Sequence, residues 1–293
     1  MKNSNQETLD STRPQFTRDD SSGTGIQAFQ QMVLLHYKHY GRDMPWRNTT
    51  DPYQILVSEI MLQQTQVERV TAKFSEFIRV FPDFSTLAIA PLADILAVWQ
   101  GMGYNRRAIA LQKCAARVTS EYGGVLPADV DILATFPGIG KATASSIAAF
   151  AFNMPVVFIE TNIRRVFIHF FFAENETVND SDILPLAGKS LYHENPRIWY
   201  WALMDLGSAL KKTVPNPNRR SVHYSRQSPF DGSDRKIRGS IIRIILDKKE
   251  VEEEELLFIL NEDPTRVKKI ISALVSEGFI CRNGNHFSVV REG

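Results

Sequence analysis

The sequence predicts a mostly helical protein that ends in a small module of helices and a hairpin. Three observations carry that prediction. Apolar residues recur at spacings of three and four from Gln27 to about Leu210. Strand signals are scarce over the same stretch. Past about residue 231 the pattern changes to three short helical segments closed by "FICRNGNHFSVV".

Residues 1–24 are polar and lack the apolar core of a secretory signal, so they read as a disordered tail. Helical periodicity then runs through "AFQQMVLLHYKHY", "DPYQILVSEIMLQQTQVERVTAKFSEFIRVF", "PLADILAVWQGM", "RRAIALQKCAARVTSEY" and "DILATF". Asp51 followed by Pro52 is a helix start, with aspartate as the cap and proline at the first helical position. "KKTVPNPNRRSVHYSRQSPFDGSD" breaks the pattern with prolines, asparagines and serines and reads as a long ordered loop. After it, "DRKIRGSIIRIIL", "EEEELLFIL" and "PTRVKKIISALVSEG" are three helices, and Asn283-Gly284 is the expected turn of the closing hairpin. Three helices and a hairpin suggest a winged helix whose third helix turns Arg266, Lys268 and Lys269 outward. Contact with DNA and contact with protein both suit such a module.

Composition is that of an ordinary globular chain, 43% apolar and 23% charged, with a net charge of only +1. No apolar run is long enough to span a membrane. Two cysteines, Cys114 and Cys281, make neither a disulfide framework nor a thiolate metal site, and the six histidines show no HExxH pattern. A cytoplasmic, nucleoid-associated monomer is the expectation. The charge is unevenly placed: Lys211 to Arg243 holds nine Lys or Arg against Asp231 and Asp234, and "EVEEEE" follows at Glu250. A basic stretch of that kind suits a polyanion, and a solvated basic loop has the same composition.

The stretch "TFPGIGKATASSIAAFAFNMPVVFIETNIRRV" carries the chemistry. Gly138 and Gly140 can adopt positive φ without steric cost, and they clear side chains from the turn. The helix after them starts near Lys141, where unpaired amides, the helix dipole and the lysine favour an anion. With the short helix before it, this is a helix-hairpin-helix, which holds phosphate backbone and reads no sequence. Gly138, Gly140, Lys141 and Thr143 are therefore candidate DNA contacts, and the one ion expected is a monovalent cation at the hairpin. Twenty-two residues past Gly138, the acid Glu160 stands inside an apolar run.

Residues 27 to about 210 resemble the helix-hairpin-helix DNA glycosylases of the endonuclease III superfamily. Within it, "MPWRNTTDPYQILVSEIMLQQTQVERV", "VWQGMGYNRRAIALQ" and "WALMDLGSAL" resemble the MutY-type adenine glycosylases. The resemblance implies an all-α catalytic domain of two subdomains over residues 25–230, with its basic loop at 211–230, and the pattern after it adds a small winged-helix-like α+β domain over 231–293, where relatives carry a larger domain. The resemblance also implies double-stranded DNA with a mismatched or damaged pair as the partner. It places Glu160 at the catalytic acid, facing the sugar of a flipped-out nucleotide, where a carboxylate in a dry site stabilises developing positive charge. Asn162 matches a position that hydrogen-bonds that carboxylate. Glu59 matches the acid that protonates the departing base, a group that burial keeps protonated. Gln63, Gln64, Tyr104 and Asn105 match residues that wedge into the stack or contact the opposite strand, and Arg219 and Arg220 of the basic loop are expected on phosphates.

The sequence also departs from the family. The catalytic acid is normally Asp, and the longer Glu160 moves the carboxylate by about 1 Å, enough to matter at such a site. Ala142 stands where lyase members carry a nucleophilic lysine, which implies a monofunctional enzyme. Lys211 falls where relatives place the first of four cluster cysteines, so no iron–sulfur cluster is expected, and Pro215, Pro217, Tyr224 and Phe230 are expected to hold the loop instead. Asn105 replaces a tyrosine common in the 8-oxoguanine readers. The implied activity is hydrolysis of adenine from pairs with guanine or 8-oxoguanine. A thymine or uracil glycosylase acting opposite guanine, and a DNA-binding protein that has lost catalysis, are the alternatives.

Overall fold

The structure, a computed structural model, describes residues 23–225 and 229–290. The expected tail over 1–24 thus lies almost wholly outside the described residues, as does Arg226. Among the described residues fourteen α-helices and three short strands follow in order: α1 (Gly23–Tyr40), α2 (Pro52–Leu62), α3 (Val67–Val80), α4 (Phe84–Ala88), α5 (Leu92–Trp99), α6 (Arg106–Tyr122), α7 (Val130–Leu133), α8 (Lys141–Phe152), α9 (Thr161–Phe171), α10 (Asp180–Lys189), α11 (Pro196–Thr213), α12 (Asp234–Lys248), β1 (Glu250–Glu252), α13 (Glu253–Leu260), α14 (Pro264–Ser276), β2 (Ile280–Asn283) and β3 (His286–Val289). Among the described residues no helix is long and apolar enough to cross a membrane.

The chain forms two compact units. One comprises residues 1–50, 128–131 and 140–226. Its core is aromatic: Phe29 of α1 meets Phe167, Phe170 and Phe171 of α9 and Trp199 of α11 with ring centroids 5.0 to 5.9 Å apart. The close crossing of α9 and α11 needs Gly207, because a Cβ there would lie 2.3 Å from the Asn162 carbonyl oxygen. Beside it, buried Asp205 accepts from Arg42 and Arg47 on both oxygens at 2.6 to 2.8 Å. Burial raises the Asp205 pKa, but the Arg47 and Arg42 contacts outweigh it and leave the carboxylate below its ordinary value. "MPWR" and "MDLG", both marks of the family resemblance, are thus the two halves of one ionic brace.

The other unit comprises residues 51–127, 132–139 and 227–293. Asp51 caps α2 as expected, accepting from the Tyr53 amide at 3.0 Å. The long apolar pattern from 51 to 81 is two helices, α2 and α3. The chain breaks at Gln63 to Gln66, where Gln64 takes φ +55. In the C-terminal module, β1, β3 and β2 form an antiparallel sheet in that spatial order, against which α12 and α14 bury Ile241, Ile245, Val267, Ile271 and Leu274. This is the expected winged-helix pattern with an additional strand, β1, inside the acidic run. The hairpin turn is shifted by one residue: Asn283 pairs with His286, so Gly284 and Asn285 form the turn, with Gly284 at φ +62.

Candidate active site

Glu160 is the cap of α9. Its Oε1 accepts from the backbone amides of Asn162 at 2.7 Å and Ile163 at 2.9 Å. Glutamate is not among the favoured capping residues, and here its extra methylene is taken up by folding back onto its own helix. Oε2 faces the Asn162 side-chain amide at 3.4 Å. Burial raises the Glu160 pKa, against the two backbone amides and the nearby charges of Arg165 and Arg164 that lower it. Asn162 is fixed in turn by Arg165, whose Nη1 donates to its Oδ1 and to the Gly207 carbonyl, both at 2.7 Å. Arg165 is buried, and that burial lowers its own pKa. Glu160, Asn162 and Arg165 therefore form one polar chain rooted in the α9–α11 crossing.

The basic loop docks beside this chain. Asn218 Nδ2 donates to the Thr161 carbonyl at 2.8 Å, and Arg165 Nε reaches Asn216 Oδ1 at 3.3 Å. Tyr224 and Phe230 are exposed, so the aromatic packing expected to hold the loop is absent and the asparagines take that part. Arg220, expected on phosphate, donates to the Phe172, Ala173, Asn175 and Ile168 carbonyls and so closes the end of α9. Arg219 is exposed. A four-thiolate cluster does not fit the residues present. Cys114 lies in the core of α6 with burial pushing its thiol up to about 12, and Cys281 lies on β2. Among the described residues no cluster of ligand side chains suits a metal.

In the hairpin, Gly138 takes a positive φ, +74, and a Cβ there would lie 2.9 Å from that of Ala110. Gly140 does not use that freedom: its backbone is extended at φ −87, ψ 170, because it is the cap of α8 and not part of the tight turn. It brings no side-chain cap, which suits an anion at the start of α8. Lys141 and Ala142 are exposed and Thr143 is partly buried.

Glu59 is half-buried on α2 among buried Ile55, Leu56 and Ile60. At the end of α2, Gln63 Nε2 donates to the Gly138 carbonyl at 3.1 Å, bringing two expected DNA contacts together. Gln64 is exposed. The α2 terminus is held by Arg107, a residue the sequence reading missed. One guanidinium nitrogen donates to the Ile60, Met61 and Gln63 carbonyls at 2.6 to 3.0 Å. Another donates to Thr65 Oγ1 and to the Met102 and Gly103 carbonyls at 2.9 to 3.1 Å. Burial lowers its pKa to about 10. A sequence signal existed: Arg107 stands on the apolar stripe of α6 with Leu111, Cys114 and Val118. Tyr104 lies in the loop this arginine grips, at φ +48, and Asn105 leads directly into α6.

Residues 57–183 match the family described as HhH-GPD superfamily base excision DNA repair protein. The adenine DNA glycosylase of Mycolicibacterium smegmatis is 33% identical over 281 residues, covering 89% of this chain and 96% of that protein. The adenine DNA glycosylase of Mycobacterium tuberculosis is 30% identical over 287 residues, covering 89% and 93%. Among solved structures, a thermostable thymine-DNA glycosylase is similar at a TM-score of 0.58 and 28% identity, covering 62% of this chain and 86% of that one. Endonuclease III in a trapped DNA covalent intermediate shares the fold at a TM-score of 0.51 and 18% identity, covering 71% and 90%. With a capped acid past a glycine hairpin and relatives matched over nearly their whole length, the chain belongs to the HhH-GPD superfamily of base excision DNA repair proteins, alongside the adenine DNA glycosylases.

Proposed function

We propose that the protein is a monofunctional DNA N-glycosylase that hydrolyses adenine from pairs with guanine or 8-oxoguanine, working as a monomer in the cytoplasm at the nucleoid and without an iron–sulfur cluster. The observation that carries this reading is Glu160. Two backbone amides and one side-chain amide hold this acid in a buried site, and a carboxylate so held supports the reading because it would stabilise positive charge on a sugar. The names of the relatives support adenine as the base. In the reaction Glu59 protonates the adenine ring, the C1′–N bond breaks with its electrons leaving on the base, and Glu160 stabilises the oxocarbenium ion and orients the attacking water. The water oxygen bonds to C1′ and its proton passes to Glu160. The products are free adenine and an intact abasic strand. Ala142 offers no amine for a Schiff base, so the strand is cut only by later alkali.

A second reading, thymine or uracil removal opposite guanine, is favoured by the similarity to a thymine-DNA glycosylase. Duplexes carrying A opposite G, A opposite 8-oxoguanine, T opposite G and U opposite G separate the two after alkali treatment. Cleavage confined to the adenine strand supports the proposal, cleavage of only the T or U strand replaces it with the second reading, and binding without any cleavage replaces it with a non-catalytic DNA binder. The hairpin's part is tested by Lys141→Ala, which should weaken binding in a salt-dependent way and lower the salt slope by about 1 while leaving bond breaking unchanged once DNA is bound.

A further inference from the structure

The C-terminal module is fastened to one loop of its own unit. Residues 101–105 join α5 to α6 through two glycines at positive φ, Gly101 and Gly103, and through Tyr104, for which φ +48 is an uncommon conformation. Two contacts from the module meet this segment and the first residue of α6 that follows it. Arg106 places Nε at 2.8 Å and Nη2 at 2.6 Å on the two oxygens of Glu277, the residue that ends α14. The same carboxylate takes Arg238 of α12 at 3.1 and 2.5 Å, so one acid is gripped by two planar forks. On α12, Arg235 donates to the Tyr104 hydroxyl and lies 5.2 Å from its ring centroid, while Arg107 lies 5.5 Å from the same ring.

Two of the three basic residues of α14 are engaged within the module. Arg266 pairs with Asp234 at 2.6 Å and donates to the Gly232 carbonyl at 2.7 Å. Lys268 pairs with Glu253 at 3.1 Å, as does Arg282 of β2. Lys269 is exposed. The helix that would read DNA in a winged helix thus presents little net charge, whereas the module's strongest ionic contact points at the Tyr104 loop.

We propose that the C-terminal module is a brace for the Tyr104 loop, with Glu277 and Arg235 as positioning residues that set Tyr104 against duplex DNA, and that α14 makes no phosphate contact. The part played by DNA rests on the reading of the protein as a glycosylase; the brace itself does not. The full chain is compared with Glu277→Ala, Arg235→Gln and Lys269→Ala. Amide exchange is followed at Met102, Arg107 and Ala108, whose amides bond to Trp99, Tyr104 and Asn105. Single-turnover adenine release and the salt dependence of binding are measured on an A-opposite-G duplex. Exchange at the three amides should quicken about tenfold in Glu277→Ala and Arg235→Gln. Release at saturating DNA should fall about tenfold in both, with affinity for undamaged duplex unchanged. Lys269→Ala should leave the salt slope as it is. Unchanged exchange in both brace variants overturns the proposal, and so does a slope about one unit smaller in Lys269→Ala. A wild-type chain that releases no base counts against the glycosylase reading, while the exchange measurement still decides the brace.

Discussion

At Glu160 burial and the amides of α9 act on one proton in opposite directions, and burial prevails. The sign for stability follows. An acid whose folded pKa is raised binds its proton more tightly in the folded state, so folding weakens as pH rises from the unfolded value through the folded one. Glu160→Gln keeps an acceptor for both amides and removes the charge. It should abolish base release, leave duplex binding largely intact, and melt at a higher temperature than the wild type at pH 7, with the gap narrowing towards pH 4. Equal activity in the Gln variant would remove Glu160 from the chemistry, and a gap that widens in acid would contradict the sign. Glu160 stood out because an acid within an apolar run demands a reason, and Asn162 came from the family resemblance. Arg165 and Arg107 were not legible, since what makes an arginine burial tolerable is a set of carbonyls that only the fold assembles. The hairpin glycines left a related choice open: glycine permits positive φ, and only the turn decides that Gly138 and not Gly140 uses it.

Among the elements, the helices were visible in their spacing, but the break between α2 and α3 was not. It turns on Gln64 in a left-handed conformation, where glycine or asparagine would have given notice, and the apolar period resumes at Val67 and Val70 without a visible gap. Arg107 closes that break. Arg107→Lys replaces a fork serving seven acceptors with a single ammonium, and should cost about 3 kcal/mol, the scale for unpairing buried polar groups. Thermal unfolding with and without abasic-site DNA measures it, and a loss under about 0.5 kcal/mol would make the arginine incidental. The α9–α11 crossing gives a second test. Gly207→Ala puts a methyl 2.3 Å from backbone oxygen and 2.8 Å from the Asn162 Cβ, so it should lower stability by about 1–3 kcal/mol or more and slow base release by displacing Asn162. Retained stability together with retained rate would mean that the helices separate freely.

For the molecule as a whole, the C-terminal pattern of helices and hairpin was legible, and its attachment was not, because Glu277 sits in a segment that reads as an ordinary helix end. Contacts with Arg106 and Arg238 hold the Glu277 carboxyl down at about 2 against the cost of burial. A depressed acid contributes stability that is full above the ordinary carboxylate value, about 4.3, and is lost as pH falls through the folded one. Amide exchange at Met102 should therefore rise between about pH 4 and pH 2 in the wild type more than in Glu277→Gln. Matching profiles would show that another group releases the loop. Purified protein should also contain no stoichiometric iron, and four irons per chain would overturn the reading of the loop at 211–230.

The pairing of Arg106 with Glu277 joins positions 171 residues apart, which bears on the order in which the chain is made. When Arg106 leaves the ribosome its partner is still far from synthesis, and the α5–α6 loop must wait with its glycines and Tyr104 unrestrained. Closing so long a span adds little cost at equilibrium, since each doubling of length is worth only about 0.6 kcal/mol, but it delays the contact until the last turn of α14 exists. Helices α2 to α6 can gather early, while the loop becomes rigid only when the chain is almost complete. A nascent or truncated glycosylase would thus hold its acids before it holds its Tyr104 loop, and would meet DNA with an unfinished grip.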